Sequence, residues 1–288
     1  MTRGELIAEL ATSLGLPHEA RFIVEEVLGP APSPADLVVA VADIEAARQL
    51  AERRRGGEPL QYIFGHWAFR RLDLLVDSRV LIPRPETEQV VEVALNELRR
   101  LDPAAPTIVD AGTGSGAIAL SLATELAERF PSGQLWATDS SPDALAVARE
   151  NFDRVRHCTA AVLPVTFLSG SWLSPLPSAL KGAVDLIVAN PPYVALGEWA
   201  DLDDEVRREP VTALVADRGT DGTPGLGDVE KVLVQARSWL ARPGVAVVEL
   251  APHQAEAAGH LARTMGYVDV SVEPDLARRP RALVVRAP

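Results

Sequence analysis

The sequence predicts an α/β fold: a mostly parallel seven-stranded sheet ending in an antiparallel hairpin, preceded by a small N-terminal all-α domain. Three observations carry this. Seven short apolar runs, "TIVDAG", "QLWATD", "VTFLSG", "DLIVAN", "VAVVEL", "YVDVSV" and "ALVVRA", have helical patterns between most of them. Such alternation puts helices on both faces of a parallel sheet. Only "EPDLARRPR" separates the last two runs, which is too short for a helical crossover, so that pair is antiparallel. The first 57 residues, by contrast, read as short helices.

Within residues 1–57, Leu6, Leu10 and Leu14 lie four apart on one face, and Gly15 follows as a stop. Phe22, Ile23, Val27 and Leu28 form a second stripe, ended by Gly29-Pro30. Ser33-Pro34 has the order of N-cap then first helical residue. Asp43 is placed to cap a last helix, whose end carries Arg53, Arg54 and Arg55, where cations suit the macrodipole. A unit this small is an accessory: a partner-docking module or a stabilising cap. Residues 58–85 mix aromatics, alternation and turn residues and predict a β-hairpin linker. It ends in Pro83-Arg84-Pro85, held extended because each proline restricts the residue before it. Glu86 or Thr87 then starts a helix along Val90, Val91 and Leu95, opening a domain that runs over 86–288.

Composition narrows the class. With 288 residues, 47% hydrophobic and 24% charged, the chain can bury a substantial core. The lone Cys158 excludes an intrachain disulfide and a thiolate cluster, and fits a reducing compartment. Five histidines show no close-ligand spacing, so no metal is expected. "MTRGELIAEL" has an acid at position 5 and no apolar signal core, and no run of about 18 apolar residues occurs. The expectation is a cytoplasmic, monomeric protein with no membrane segment. A net charge of −12 argues against a surface built to neutralise phosphates, so no direct nucleic-acid partner is expected.

Three motifs carry chemistry. In "VDAGTGSGAIAL", Gly112, Gly114 and Gly116 make a G-x-G-x-G turn, with Thr113 and Ser115 between them, directly before a helix. Glycines permit the tight turn and close backbone approach to a ligand, although such a turn also occurs as packing alone. The next strand ends in Asp139, 23 residues past Gly116, where an acid can accept from ribose hydroxyls. Asp139 can equally start the following helix, a duty Ser140 or Ser141 can share. Together the two motifs suit an adenosine-bearing ligand. The fourth strand runs into Asn190-Pro191-Pro192-Tyr193. Asn190 offers a side-chain oxygen, Pro191 offers only its carbonyl, and Tyr193 a flat ring. Two acceptors beside a ring suit a planar –NH2 group that donates two hydrogen bonds.

In this order, the glycine turn, the second-strand acid and Asn-Pro-Pro-Tyr resemble the class I S-adenosylmethionine-dependent amino-methyltransferases. "EPLQYIFG", "LIPRPETE" and "REPVTALVA" narrow the resemblance to the HemK/PrmC family, the peptide chain release factor glutamine N5-methyltransferases, over nearly the whole chain. The resemblance implies a Rossmann-like class I methyltransferase fold. The cofactor would be S-adenosyl-L-methionine, leaving S-adenosyl-L-homocysteine, and the protein substrate a release factor. It implies that Gly112 to Gly116 cradle the methionine part, that Asp139 holds the ribose and that Trp172 lies near the adenine. Asn190, Pro191, Pro192 and Tyr193 would hold the glutamine amide, with Asn190, Pro191 and Tyr193 catalytic and Pro83, Arg84 and Pro85 in the pocket wall. This chain departs from the family in having Ser171 where an acid commonly precedes the tryptophan. It also lacks the Glu-His-Gly often found at "VVELAPHQ", and its C-terminal "LARRPRALVVRAP" is atypical. The competing reading is a DNA or RNA adenine or cytosine amino-methyltransferase, which shares Asn-Pro-Pro-Tyr and requires base flipping.

Overall fold

The computed structural model describes residues 1–29 and 37–287. The predicted cap at Ser33-Pro34 lies outside the described residues. The chain divides into two compact units, Met1–His66 with Asp203–Arg208, and Trp67–Leu202 with Glu209–Pro288.

The first unit holds α1 (Arg3–Leu14), α2 (Pro17–Leu28), α3 (Val41–Arg55) and α4 (Leu60–Phe64). α1 opens with a capping box between Thr2 and Glu5 and closes on Gly15 in the left-handed conformation. Leu6, Leu10, Ala20, Ile23, Val24, Ala47, Ala51, Leu60 and Ile63 form its core. Asp43 is in the first turn of α3 and does not cap it; the N-cap position is Ala40, which has no side-chain acceptor. The basic end of α3 is an ion-pairing surface as well as a dipole match. Arg54 bonds Glu19 through two contacts of 2.7 Å and meets Glu205 at 2.7 Å, while Arg208 donates to the Gly56 carbonyl at 2.5 Å. These contacts explain why a distant segment, Asp203–Arg208, belongs to this unit. The expected hairpin linker over 58–85 is corrected in two ways. Residues 60–64 are helical, stopped by left-handed Gly65, and the hairpin itself is only β1 (His66–Phe69) and β2 (Leu72–Leu75).

In the second unit, α5 (Pro85–Leu101) starts one residue earlier than expected, because Pro85 suits the first helical position. Its stripe Val90, Val91, Ala94, Leu95 and Leu98 is fully buried. β3 (Thr107–Ala111), α6 (Ala117–Glu125), β4 (Gln134–Asp139), α7 (Pro142–Cys158), β5 (Val165–Ser169) and β6 (Val184–Ala189) follow. After them come a two-residue pair, β7 (Val194–Ala195) and β8 (Val215–Ala216), flanking the single-turn α8 (Val211–Leu214). Then come α9 (Gly227–Trp239), β9 (Leu240–Glu249), α10 (Ala255–Thr264), β10 (Asp269–Pro274) and β11 (Pro280–Arg286). All seven predicted strands join one sheet of order β10-β11-β9-β6-β3-β4-β5. β9, β6, β3, β4 and β5 are parallel, and β11 is antiparallel to both β9 and β10. One apolar layer packs on each face, with α5 and α6 on one side and α9 and α10 on the other. The order reverses direction between β3 and β6, and ligands of open α/β sheets bind at the strand C-termini beside such a point. Among the described residues, no helix is long and apolar enough to cross a membrane.

Candidate active site

A cavity of about 240 Å³ opens at that switch point, lined by the loop after β3, the ends of β4 and β6, the segment before α5 and the α8 turn. Gly112, Thr113, Gly114, Ser115, Asp139, Trp172, Asn190, Pro192, Pro83 and Arg84 all line it. Gly116, Pro85, Pro191 and Tyr193 do not.

The three glycines of the turn have different physical reasons. All take positive φ, 80°, 55° and 87° in order. A Cβ on Gly112 would sit 2.9 Å from the Trp172 ring, so this glycine lets the indole close over the turn. A Cβ on Gly114 would meet nothing within 4 Å. It is bare backbone facing open space, as a ligand cradle requires. At Gly116 the Cβ would lie 3.2 Å from Leu120 and 3.4 Å from Ala148. That position serves close packing of α6, and the expectation that it cradles ligand is corrected accordingly. Gly116→Ala is therefore expected to destabilise the fold by about 1–3 kcal/mol, from left-handed strain and overpacking. An unchanged urea midpoint would refute this.

Two acids, Asp110 buried and Asp139 half-buried, fix the turn. Asp110, fully buried at the end of β3, accepts from Thr113 Oγ1 at 2.6 Å and from the Ala119 N–H at 3.0 Å. Burial pushes its carboxyl up to about 7, opposed by those two hydrogen bonds. Asp139 accepts from the Gly114 N–H at 2.9 Å and the Ser141 N–H at 2.8 Å. Burial raises its pKa too, against those backbone bonds. The N-cap of α7 is Ser141, whose Oγ accepts from the Ala144 N–H at 3.1 Å. Asp139 is thus spared that duty and lies in the cavity wall with carboxylate lone pairs available to a diol. Trp172 holds φ 51°, uncommon for a bulky residue, and its carbonyl accepts from Thr138 Oγ1 at 2.6 Å.

Across the cavity, Asn190 follows β6. Its Nδ2 donates to Thr87 Oγ1 at 3.3 Å, and Thr87 Oγ1 donates to Glu249 Oε2 at 2.7 Å. With the amide nitrogen turned to Thr87, the amide oxygen is the group left to the cavity. Burial pushes Glu249 up to about 7, opposed by Thr87 and by Arg281, whose Nη1 lies 3.7 Å from Oε1. Ile82 and Arg84, before α5, are held by buried Glu209, which accepts from the Ile82 N–H at 2.9 Å and pairs with Arg84. Pro85 begins α5 and Pro191 is buried. Tyr193 lines a neighbouring concavity with Val194, Leu202 and Ala251, so Pro192 rather than the Tyr193 ring forms cavity wall here. Its backbone is anchored: Gln254 Nε2 donates to the Tyr193 carbonyl at 3.1 Å and to that of Pro224 at 3.2 Å.

Sequence reasoning missed Asp110, Thr87, Glu209, Glu249 and Gln254 as site-building residues. Asp110 and Glu249 carried a signal, an acid at the C-terminal end of an apolar strand, the same pattern that picked out Asp139. Glu209 and Gln254 act across long stretches of chain and carried none. The whole arrangement suits a nucleoside with a polar tail along the glycine turn, and an –NH2 group presented to Asn190.

A family model described as a methyltransferase domain matches residues 104–277. A release factor glutamine methyltransferase of Moorella thermoacetica is 44% identical over 239 residues, covering 82% of this chain and 77% of its own length. Another, of Bordetella pertussis, is 39% identical over 279 residues, covering 94% of this chain and 96% of its own. In three dimensions, a methyltransferase from Pyrococcus furiosus superposes with a TM-score of 0.50 at 17% identity, over 75% of this chain and 88% of that one. The N-terminal domain of human METTL16 in complex with SAH also gives 0.50, at 15% identity, over 98% and 94%. These two likenesses concern the fold alone.

Proposed function

Because the chain belongs to the release factor glutamine methyltransferase family, we propose that it methylates peptide chain release factors during their preparation for translation termination. The methyl group passes from S-adenosyl-L-methionine to the side-chain amide nitrogen, N5, of the glutamine in their Gly-Gly-Gln motif. The observation that carries this reading is Asn190, which lines the same cavity as the glycine turn and Asp139 and whose Nδ2 is occupied by Thr87, leaving its amide oxygen for a ligand.

Gly112 to Ser115 and Asp139 would hold the cofactor, with Trp172 beside its base. Bound there, it supplies an electrophilic methyl group on a good leaving group. The residues of this chain do the rest. An amide nitrogen is a poor nucleophile because its lone pair is delocalised, so placing it correctly is the main task, worth roughly 7–11 kcal/mol in well-oriented systems. Asn190 Oδ1 would accept one of its N–H bonds; the second proposed acceptor is the main-chain carbonyl of Pro191, a residue buried beside the cavity between two that line it. The same dipoles favour positive charge developing on that nitrogen, usually a large catalytic contribution. Once alkylated, the nitrogen is strongly acidic and loses its proton to water, so no side chain is assigned as general base.

A nucleic-acid base offers the same –NH2 pattern, but its phosphates would meet a chain of net charge −12. The test is transfer from labelled cofactor to a release factor, DNA and RNA, with mass mapping of the product. Label on the Gly-Gly-Gln glutamine and none on nucleic acid is expected; the reverse overturns the assignment. Asp139→Ala should weaken cofactor binding by about 1.5–3 kcal/mol, the range for a hydrogen bond to a charged group. Calorimetric titration reads this directly, and unchanged affinity would remove Asp139 from the cofactor site.

A further inference from the structure

We propose that Thr87 and Glu249 are positioning residues that fix which way round the Asn190 amide stands. The inference rests on the functional reading above and adds two residues to it. Asn190 can present either its oxygen or its nitrogen to the cavity, and the two faces have nearly the same shape. Only the oxygen suits an –NH2 substrate. The choice is made by hydrogen-bond polarity. An ionised carboxylate can only accept, so Thr87, 2.7 Å from Glu249 Oε2, commits its single hydroxyl hydrogen there. Toward Asn190, 3.3 Å away, Thr87 then has only lone pairs to offer. The amide must meet it with Nδ2, and Oδ1 is turned to the cavity.

The fold explains the placing of the three groups. β6 and β9 are adjacent parallel strands with Ala189 opposite Val248, so Asn190 and Glu249 leave the sheet side by side. Thr87 comes from the first turn of α5, and its side chain is buried between them. Burial works against ionisation of Glu249; the Thr87 hydroxyl and Arg281 from β11, 3.7 Å away, favour it, Glu86 opposes it and Arg84 favours it from longer range. A buried carboxylate beyond a hydroxyl that touches the Asn190 amide is a costly arrangement unless its polarity is used.

Thr87→Val keeps the shape and removes the polarity; Thr87→Ser keeps both hydroxyl roles. At pH 8, Thr87→Val is expected to lower kcat about tenfold, the scale of one lost hydrogen bond. Cofactor KM should be unchanged, and Thr87→Ser should run near the wild-type rate. In an Asn190→Ala background, Thr87→Val should cost nothing further, because its effect passes through Asn190. Glu249→Gln, which can donate to Thr87 and so release the amide, should match Thr87→Val. The proposal fails if Thr87→Val turns over at the wild-type rate, if Thr87→Ser is equally impaired, or if the losses from Thr87→Val and Asn190→Ala are additive. A wild-type enzyme that does not methylate the release factor at all would instead overturn the functional assignment.

Discussion

Asn190→Ala is expected to lower turnover by about 10²–10³, the usual loss when one preorganised hydrogen-bonding group is removed from a reacting centre. Cofactor affinity should change far less. The separation follows from the sheet. The glycine turn and Asp139 leave β3 and β4, whereas Asn190 leaves β6 on the other side of the switch point. Alanine takes away the proposed acceptor for the nucleophile's N–H and touches none of the hydrogen bonds that shape the turn, which run among Asp110, Thr113, Gly114, Asp139 and Ser141. It also leaves Thr87 bonded to Glu249, so the surroundings lose one partner and gain no unpaired carboxylate. Single-turnover transfer at saturating cofactor isolates the step. An intact rate in that assay would mean that Asn190 holds structure and not substrate.

What the sequence made legible follows from the range of each interaction. All seven sheet strands were readable because each is a short apolar run with a local stop signal. Their spatial order was only partly readable. That the last two strands pair follows from the nine residues between them, but nothing local says that β11 inserts between β10 and β9. The linker was misread at "LQYIF", where aromatic and β-branched content suggests a strand. In the fold, Leu60 and Ile63 lie one helical turn apart and pack into the helical core, so tertiary burial decides the conformation. The site divides the same way. Gly114, Asp139 and Asn190 announce themselves because each sits at or just past the C-terminal end of an apolar strand. Gly116 looks identical to Gly114 in sequence, and only the approach of Leu120 and Ala148 tells packing from cradle. Glu209 acts on Ile82 and Arg84 across more than 120 residues, and no spacing rule reaches that far.

Replacing the Gly-Gly-Gln glutamine of the release factor with glutamate is expected to abolish methylation at that position, and the reason separates two accounts of the site. If the cavity worked by proximity alone, glutamate would be a good substrate: its shape matches glutamine, and a carboxylate oxygen is a better nucleophile than an amide nitrogen. The polarity of Asn190 forbids it. With Nδ2 held by Thr87, Oδ1 is the proposed acceptor for the substrate amide, and the Pro191 carbonyl is the second proposed acceptor. A carboxylate brings acceptors to acceptors; it would be desolvated without a partner and repelled. Taking up a proton restores one donor where two are needed, and removes the nucleophilic charge. Mass mapping of the Gly-Gly-Gln peptide, with the glutamine form as a parallel control, reads the result directly. A glutamate form that gains a methyl group at that residue would show that nearness to the methyl donor is sufficient, and that the orientation of Asn190 selects nothing.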